Sequence, residues 1–135
     1  MTRKFEDVEF GEELPADAPD VGIEAVRRFA QTAGMFHPRF TDPEKARAEG
    51  LPGAIVPGIM SQGILAAAIH HWAPEAEVRK LDTTFRAPLL VDSKPVVRAV
   101  VTDCDADTRT IEIDLTLSNE AGETRVVGTA TVALP

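Results

Sequence analysis

The chain has 135 residues, enough for one domain with a real core and too few for two. Apolar residues make up 44% and charged residues 27%, an ordinary globular balance. The net charge of −8 argues against nucleic acid, whose binders need a basic face to displace counterions; an acidic surface mostly serves solubility. A single cysteine, Cys104, cannot close an internal disulfide, so nothing calls for an oxidising compartment. The opening MTRKFEDVEFGEEL has no apolar run resembling a signal peptide, and the expectation is a cytoplasmic protein.

In chain order, Phe5, Val8 and Phe10 stand among acids and Gly11 ends the run, which predicts a short strand over residues 5–10. Residues 14–22 are rich in Pro, Asp, Ala and Gly and read as a loop. From Ile23 to Ala33 the apolar residues Ile23, Val26, Phe29, Ala30 and Ala33 recur at helical spacing, and Gly34 stops the helix. Asp42-Pro43-Glu44 reads as an N-cap followed by proline at the first helical position, so a short helix should run to about Glu49 before Gly50 ends it. The stretch Gly50 to Trp72 organises the rest. A turn-rich loop with Pro52, Gly53, Pro57 and Gly58 leads into an unbroken run whose apolar residues cover most of a helix circumference. A helix over about 58–73 must therefore be enclosed by protein. It is too short, and too polar at Ser61, Gln62, His70 and His71, to span a bilayer.

After this helix the period changes to about two. Residues 78–85 alternate loosely, with Leu81, Thr83 and Phe85 expected inward; residues 95–104 are β-branched; Ile111, Ile113, Leu115 and Leu117 alternate cleanly with polar residues. Asn119 to Gly122 reads as a hairpin turn, and the last strand, 124–134, sets the small residues Gly128 and Ala130 beside Val126 and Val132. Four strands in a meander, following a long apolar helix, are best satisfied by an antiparallel sheet curled around that helix. This is an α+β arrangement, the hotdog fold, over a single domain 1–135. Three histidines, of which His70 and His71 point to different sides of a helix, support no metal site. Nucleotide-binding glycine motifs and the G-x-S-x-G elbow are also missing.

The segment FAQTAGMFHPRFTDPEKARAEGLPGAIVPGIM resembles the hallmark region of the MaoC-like hydratases and dehydratases, hotdog proteins acting on acyl-CoA or acyl-carrier thioesters. The family pattern is F-A-x-x-S/T-G-D-x-N-P-x-H-x-D, then an alanine, then G-F/Y, and finally I-V/A-H-G-M at the entry to the central helix. Phe29, Ala30, Gly34, Pro38, Asp42, Ala46, Gly50, Ile55, Val56, Gly58 and Met60 or its neighbour Ile59 fit that frame. RKLDTTFRAPLLVDS is similar to the family's later strand, which carries R-F-x-x-P-x-x-x-G-D. In active members the aspartate and histidine of the pattern activate a water that adds across a 2-enoyl thioester, because one proton must leave the water and another must reach the α-carbon.

Here the aspartate position is Met35 and the histidine position is Phe40, and neither can carry a proton. The pattern's asparagine is His37, and the histidine before the helix glycine is Pro57. By resemblance, the backbone N–H of Gly58 would polarise a thioester carbonyl, and Met35, Phe40 and Pro57 would line the acyl pocket. Arg79, Lys80, Arg86, Lys94 and Arg98 read as a solvated strand face, some of which, Arg86 among them, could meet the phosphates of CoA, because an otherwise acidic protein needs a local positive patch for that anion. No cofactor is implied.

Three readings follow. The favoured one is an acyl-thioester-binding subunit that lacks its own dyad and works beside an active hotdog partner. This division resembles two-domain and heteromeric members, some of which hydrate steroid side-chain thioesters. The second is a homodimeric hydratase, dehydratase or thioesterase in which His37 and Asp42 form a displaced dyad, although Asp42 also reads as a plain N-cap and His37 as a loop residue. The third is a non-catalytic binding or structural module. In each the chain is expected to pair with another hotdog unit, as a homodimer or a heteromer, because a single sheet leaves an edge unpaired.

Overall fold

The computed structural model describes residues 2–135. Four helices come first, α1 (Ile23–Ala33), α2 (Pro38–Thr41), α3 (Pro43–Ala48) and α4 (Gly58–Trp72), and four strands follow, β1 (Glu77–Phe85), β2 (Val96–Asp105), β3 (Thr110–Ser118) and β4 (Thr124–Ala133). The strands form one antiparallel sheet in the order β1-β4-β3-β2. Its inner face is the alternating set read from the sequence: Ile111, Ile113, Leu115 and Leu117 of β3 are fully buried, flanked by Val97 and Val101 of β2 and by Val126 and Val132 of β4. Each large aliphatic side chain taken from water there contributes about 1.5–3 kcal/mol before entropy.

Helix α1 ends as expected, with Gly34 in the left-handed region at φ 70° and its N–H on the Ala30 and Gln31 carbonyls. Its start is capped from a distance: the Ile23 N–H donates to the Asp92 carboxylate at 2.8 Å. Helix α3 begins on Asp42, whose carboxylate accepts from the Glu44 and Lys45 N–H groups at 3.1 and 3.2 Å. The sequence reading did not include α2; it forms because the His37 side chain caps it by accepting from the Arg39 N–H, and because Pro38 has a fixed φ that suits the first helical position.

Four expectations are corrected. Residues 5–10 do not form a strand. The Lys4 N–H donates to the Asp7 carboxylate at 2.9 Å and the Asp7 N–H returns to the Lys4 carbonyl at 3.0 Å, which closes a 3₁₀ turn over Phe5–Asp7 and leaves Phe10 75% exposed. The four strands are not a simple meander: β2, β3 and β4 are, but β1 pairs with β4. The connection 86–95 carries the chain across, held to the loop before α4 by the Val56 N–H on the Leu89 carbonyl (2.8 Å) and the Val91 N–H on the Ala54 carbonyl (2.9 Å). Phe85, expected inward, is 50% exposed. Finally, the sheet covers α4 along one stripe only, Ser61, Leu65, Ala68, Ile69 and Trp72, while Ile59 stays 54% exposed and Met60, Ile64, Ala66 and Ala67 are half-buried. Four strands curve around one side of a helix and leave its other side apolar and uncovered.

The two edges of the sheet differ. Residues 11–17 run along β2, with the N–H groups of Gly11, Leu14 and Asp17 donating to the carbonyls of Val101, Ala99 and Val97 at 2.8–3.1 Å. Among the described residues nothing pairs with the outer edge of β1.

Candidate functional site

The site is built on the start of α4. Its N-cap is Pro57, which is buried and has no side chain able to accept from the first turn. The first helical hydrogen bond runs from the Ser61 N–H to the Pro57 carbonyl at 3.1 Å, so the N–H groups of residues 58–60 have no acceptor within the helix. A 15-residue helix adds its partial positive charge at that end. Unspent donors and a positive dipole end favour an oxygen that carries, or is gaining, negative charge.

A cavity of about 360 Å³ opens there, with Gly58, Ser61, Phe85, Arg86, Leu89 and Val126 in its wall. Three distant stretches meet: the entry to α4, the end of β1 with the chain after it, and β4. Phe85 lies directly opposite Val126 in the β1–β4 register, and the Arg86 N–H donates to the Arg125 carbonyl at 2.8 Å. The Phe85 ring lies over the helix start, so close that a Cβ on Gly58 would meet its atoms at 3.2–3.5 Å. Glycine thus keeps the ring and the helix backbone in contact. The Arg86 side chain is exposed and makes no ion pair among the described residues.

Of the residues singled out from sequence, Gly58 and Arg86 share this cavity and Pro57 caps the helix beside it. Met35, His37, Phe40 and Asp42 lie on the segment from the end of α1 to the start of α3. It is joined to the cavity wall where the Ile55 N–H donates to the Arg39 carbonyl at 2.9 Å. Met35 is half-buried and closes the α1 terminus through its N–H on the Ala30 carbonyl, at 2.8 Å; Phe40 packs half-buried against the core. His37 Nδ1 accepts from the Arg39 backbone N–H at 3.2 Å and from Arg39 Nε at 3.1 Å. Its Nε2 stands 3.2 Å from Arg39 Nη2 and 3.4 Å from Glu49 Oε1. Asp42 Oδ1 is engaged in the α3 cap. His37 and Asp42 thus each have their own partners, and no hydrogen bond joins them among the described residues.

Sequence reasoning missed Ser61, Phe85, Leu89 and Val126. One signal was present for Ser61: a serine one turn after Gly58, on the same helical face, within an otherwise apolar run. Among the described residues no group of three or more His, Cys, Asp or Glu is placed to hold a metal ion, and no helix is long and apolar enough to cross a membrane.

An antiparallel sheet curled against one long helix, with a cavity at that helix's N-terminus, defines a hotdog-fold protein. The family model for the MaoC like domain matches residues 7–122, and the chain belongs to that family. Among solved structures it is similar to an (R)-hydratase from A. caviae involved in PHA biosynthesis, with a TM-score of 0.90 and 20% identity over 96% of this chain and 99% of that one. It is also similar to the ChsH1-ChsH2 complex from Mycobacterium tuberculosis, with a TM-score of 0.87 and 18% identity over 95% of this chain and 99% of that one. At these identities the likeness is one of fold. A curated relative, the UPF0336 protein of Clavibacter michiganensis subsp. michiganensis, is 50% identical over 48 residues, which span 35% of this chain and 32% of the relative.

Proposed function

We propose that this chain binds an acyl thioester, of CoA or of a carrier-protein arm, and serves as the subunit without a proton-transfer dyad beside an active hotdog partner. The observation that carries this reading is the cavity at the uncapped start of α4, where the Gly58 N–H meets a wall that is otherwise mostly apolar. That combination suits a thioester carbonyl followed by an acyl chain. Met35 and Phe40, which stand at the positions where the family pattern has aspartate and histidine, can supply no proton; neither is in the cavity wall, which they adjoin only through the segment that carries them. Arg86, free of an ion pair at the rim, suits a phosphate of the CoA arm. The name of the ChsH1-ChsH2 structure describes a complex, which supports a protein partner. The unpaired edge of β1 and the uncovered side of α4 supply the surface for such pairing, with a second copy or with another hotdog subunit.

The test is hydration of crotonyl-CoA and of a longer enoyl-CoA by the purified protein, alone and with hotdog proteins encoded by neighbouring genes. The chain alone should bind the thioester without hydrating it, and hydration should appear with the partner. Hydration by the chain alone would overturn this reading, and its loss in His37→Ala or Asp42→Asn would assign it to a displaced dyad. Release of free CoA without hydration would indicate a thioesterase. A chain that neither binds nor reacts is the non-catalytic module.

A further inference from the structure

Ser61 is the one buried polar residue among those described, 2% exposed in a core otherwise made of apolar side chains. Its neighbour Gln62 is satisfied, donating to the Thr83 hydroxyl at 2.7 Å. The Ser61 hydroxyl has no such partner among the described residues, on either side chains or backbone. Every fully enclosed side-chain nitrogen or oxygen among those residues is hydrogen-bonded, so an unpartnered Ser61 Oγ has to be open to the cavity that its residue lines. Open to the cavity and without an acceptor among the described residues, the hydroxyl is available to a ligand bound there. Ser61 also stands three residues after Gly58, on the same face of α4 and in the same cavity wall.

We infer that the Ser61 hydroxyl is a second hydrogen-bond donor to the carbonyl oxygen of the bound thioester, converging with the Gly58 N–H on one atom. This rests on the thioester reading given above. Two donors fixed on one rigid helix hold the carbonyl in place and polarise it with no side-chain rearrangement. No protein group among those described competes for the hydroxyl, so it favours a thioester over a ligand of the same shape that lacks the carbonyl.

The experiment is calorimetric titration of the full-length protein with butyryl-CoA and with the corresponding S-butyl-CoA thioether, in which a methylene replaces the carbonyl. Ser61→Ala should weaken the thioester about 3- to 10-fold, the range of one neutral hydrogen bond, and leave the thioether unchanged. Ser61→Thr, which keeps the hydroxyl, should retain the preference for the thioester. Since Ser61→Ala removes an unpartnered group, its Tm should equal or exceed that of the parent. Unchanged thioester affinity in Ser61→Ala overturns the inference, as does equal weakening of both ligands. A fall in Tm of several degrees would mean that the hydroxyl serves the fold. If the parent binds neither ligand, the thioester reading itself fails, and with it this inference.

Discussion

Gly128 lies on the inner face of β4, opposite Leu65 of α4, and sets how closely sheet and helix approach. A Cβ at this position would stand 3.0 Å from Leu65 Cδ1, 3.4 Å from the Asp82 carbonyl oxygen and 3.6 Å from Thr83 Cγ2. Carbon atoms in contact prefer about 3.5–4.0 Å, so the new methyl overlaps Leu65 by roughly 0.5–1 Å. Leu65 is fully buried and cannot swing into solvent. Two effects oppose each other in Gly128→Ala. The lower entropy of the unfolded chain favours alanine in a strand by about 0.5–1 kcal/mol, and overpacking a close-packed core costs about 1–3 kcal/mol. The second wins, for a net loss of about 0.5–2 kcal/mol, or about 2–8 °C in Tm for a domain of this size. Leu65→Ala alone should cost about 2–5 kcal/mol. In the double variant the methyl at 128 occupies part of the vacated space, so the two losses should sum to about 1 kcal/mol more than the double variant shows. Urea unfolding at one fixed protein concentration, followed by fluorescence of the buried Trp72, reads all four proteins. Gly128→Ala as stable as the parent, or strict additivity with Leu65→Ala, would refute the claim that this contact limits the approach.

The Glu6 carboxylate receives both guanidinium nitrogens of Arg109, at 2.6 and 3.0 Å, and these hydrogen bonds hold its pKa down at about 2 against an ordinary 4.5. A depressed carboxylate stabilises the fold fully above its unfolded value and loses that contribution as pH falls from about 4.5 through about 2. Glu6→Gln should therefore flatten the acid-unfolding profile in that window, and less so in about 1 M salt, because the pair is exposed. By NMR, Arg109→Ala should return the Glu6 titration toward 4.5; an unmoved titration would remove the assignment. Asp42→Ala should lower stability by about 0.5–2 kcal/mol through loss of the α3 cap, with Asp42→Asn, which can still accept, close to the parent in urea midpoint. Burial, and then the carboxylates of Asp103 and Glu12, push the Cys104 thiol up, so its alkylation by iodoacetamide at about pH 8 should be slower than that of a free cysteine and become ordinary in urea.

Where one local rule decided an element, the sequence was enough. Ile23–Ala33 had a periodic face and a glycine stop, Asp42-Pro43 had an unambiguous cap, and β3 had strict alternation; all three stand in the structure within a residue or so. Residues 5–10 went the other way because Asp7 can fold back on the Lys4 N–H, a local hydrogen bond that competes with strand pairing. The α4 run was legible as a helix, but its near-uniform apolar surface did not reveal which side the sheet would take. Only packing picked the stripe from Ser61 to Trp72.

The misread strand order and the missed cavity wall have one cause. Alternation along residues 78–85 fixes a strand but not its neighbour, and consecutive strands are the usual first guess. In the fold the connection 86–95 instead returns past the entry to α4 and delivers β1 to the far side of β4. That crossing sets Phe85 opposite Val126 and lays its ring on Gly58, so a side chain that alternation assigns to the core becomes the rim of a cavity. Pro57 and Gly58, adjacent in the chain, and Arg86 could be singled out from the sequence as candidates without knowing which strands pair. The part contributed by Phe85, Leu89 and Val126 exists only once β1 has paired with β4, and the cavity that Ser61 faces exists only with it.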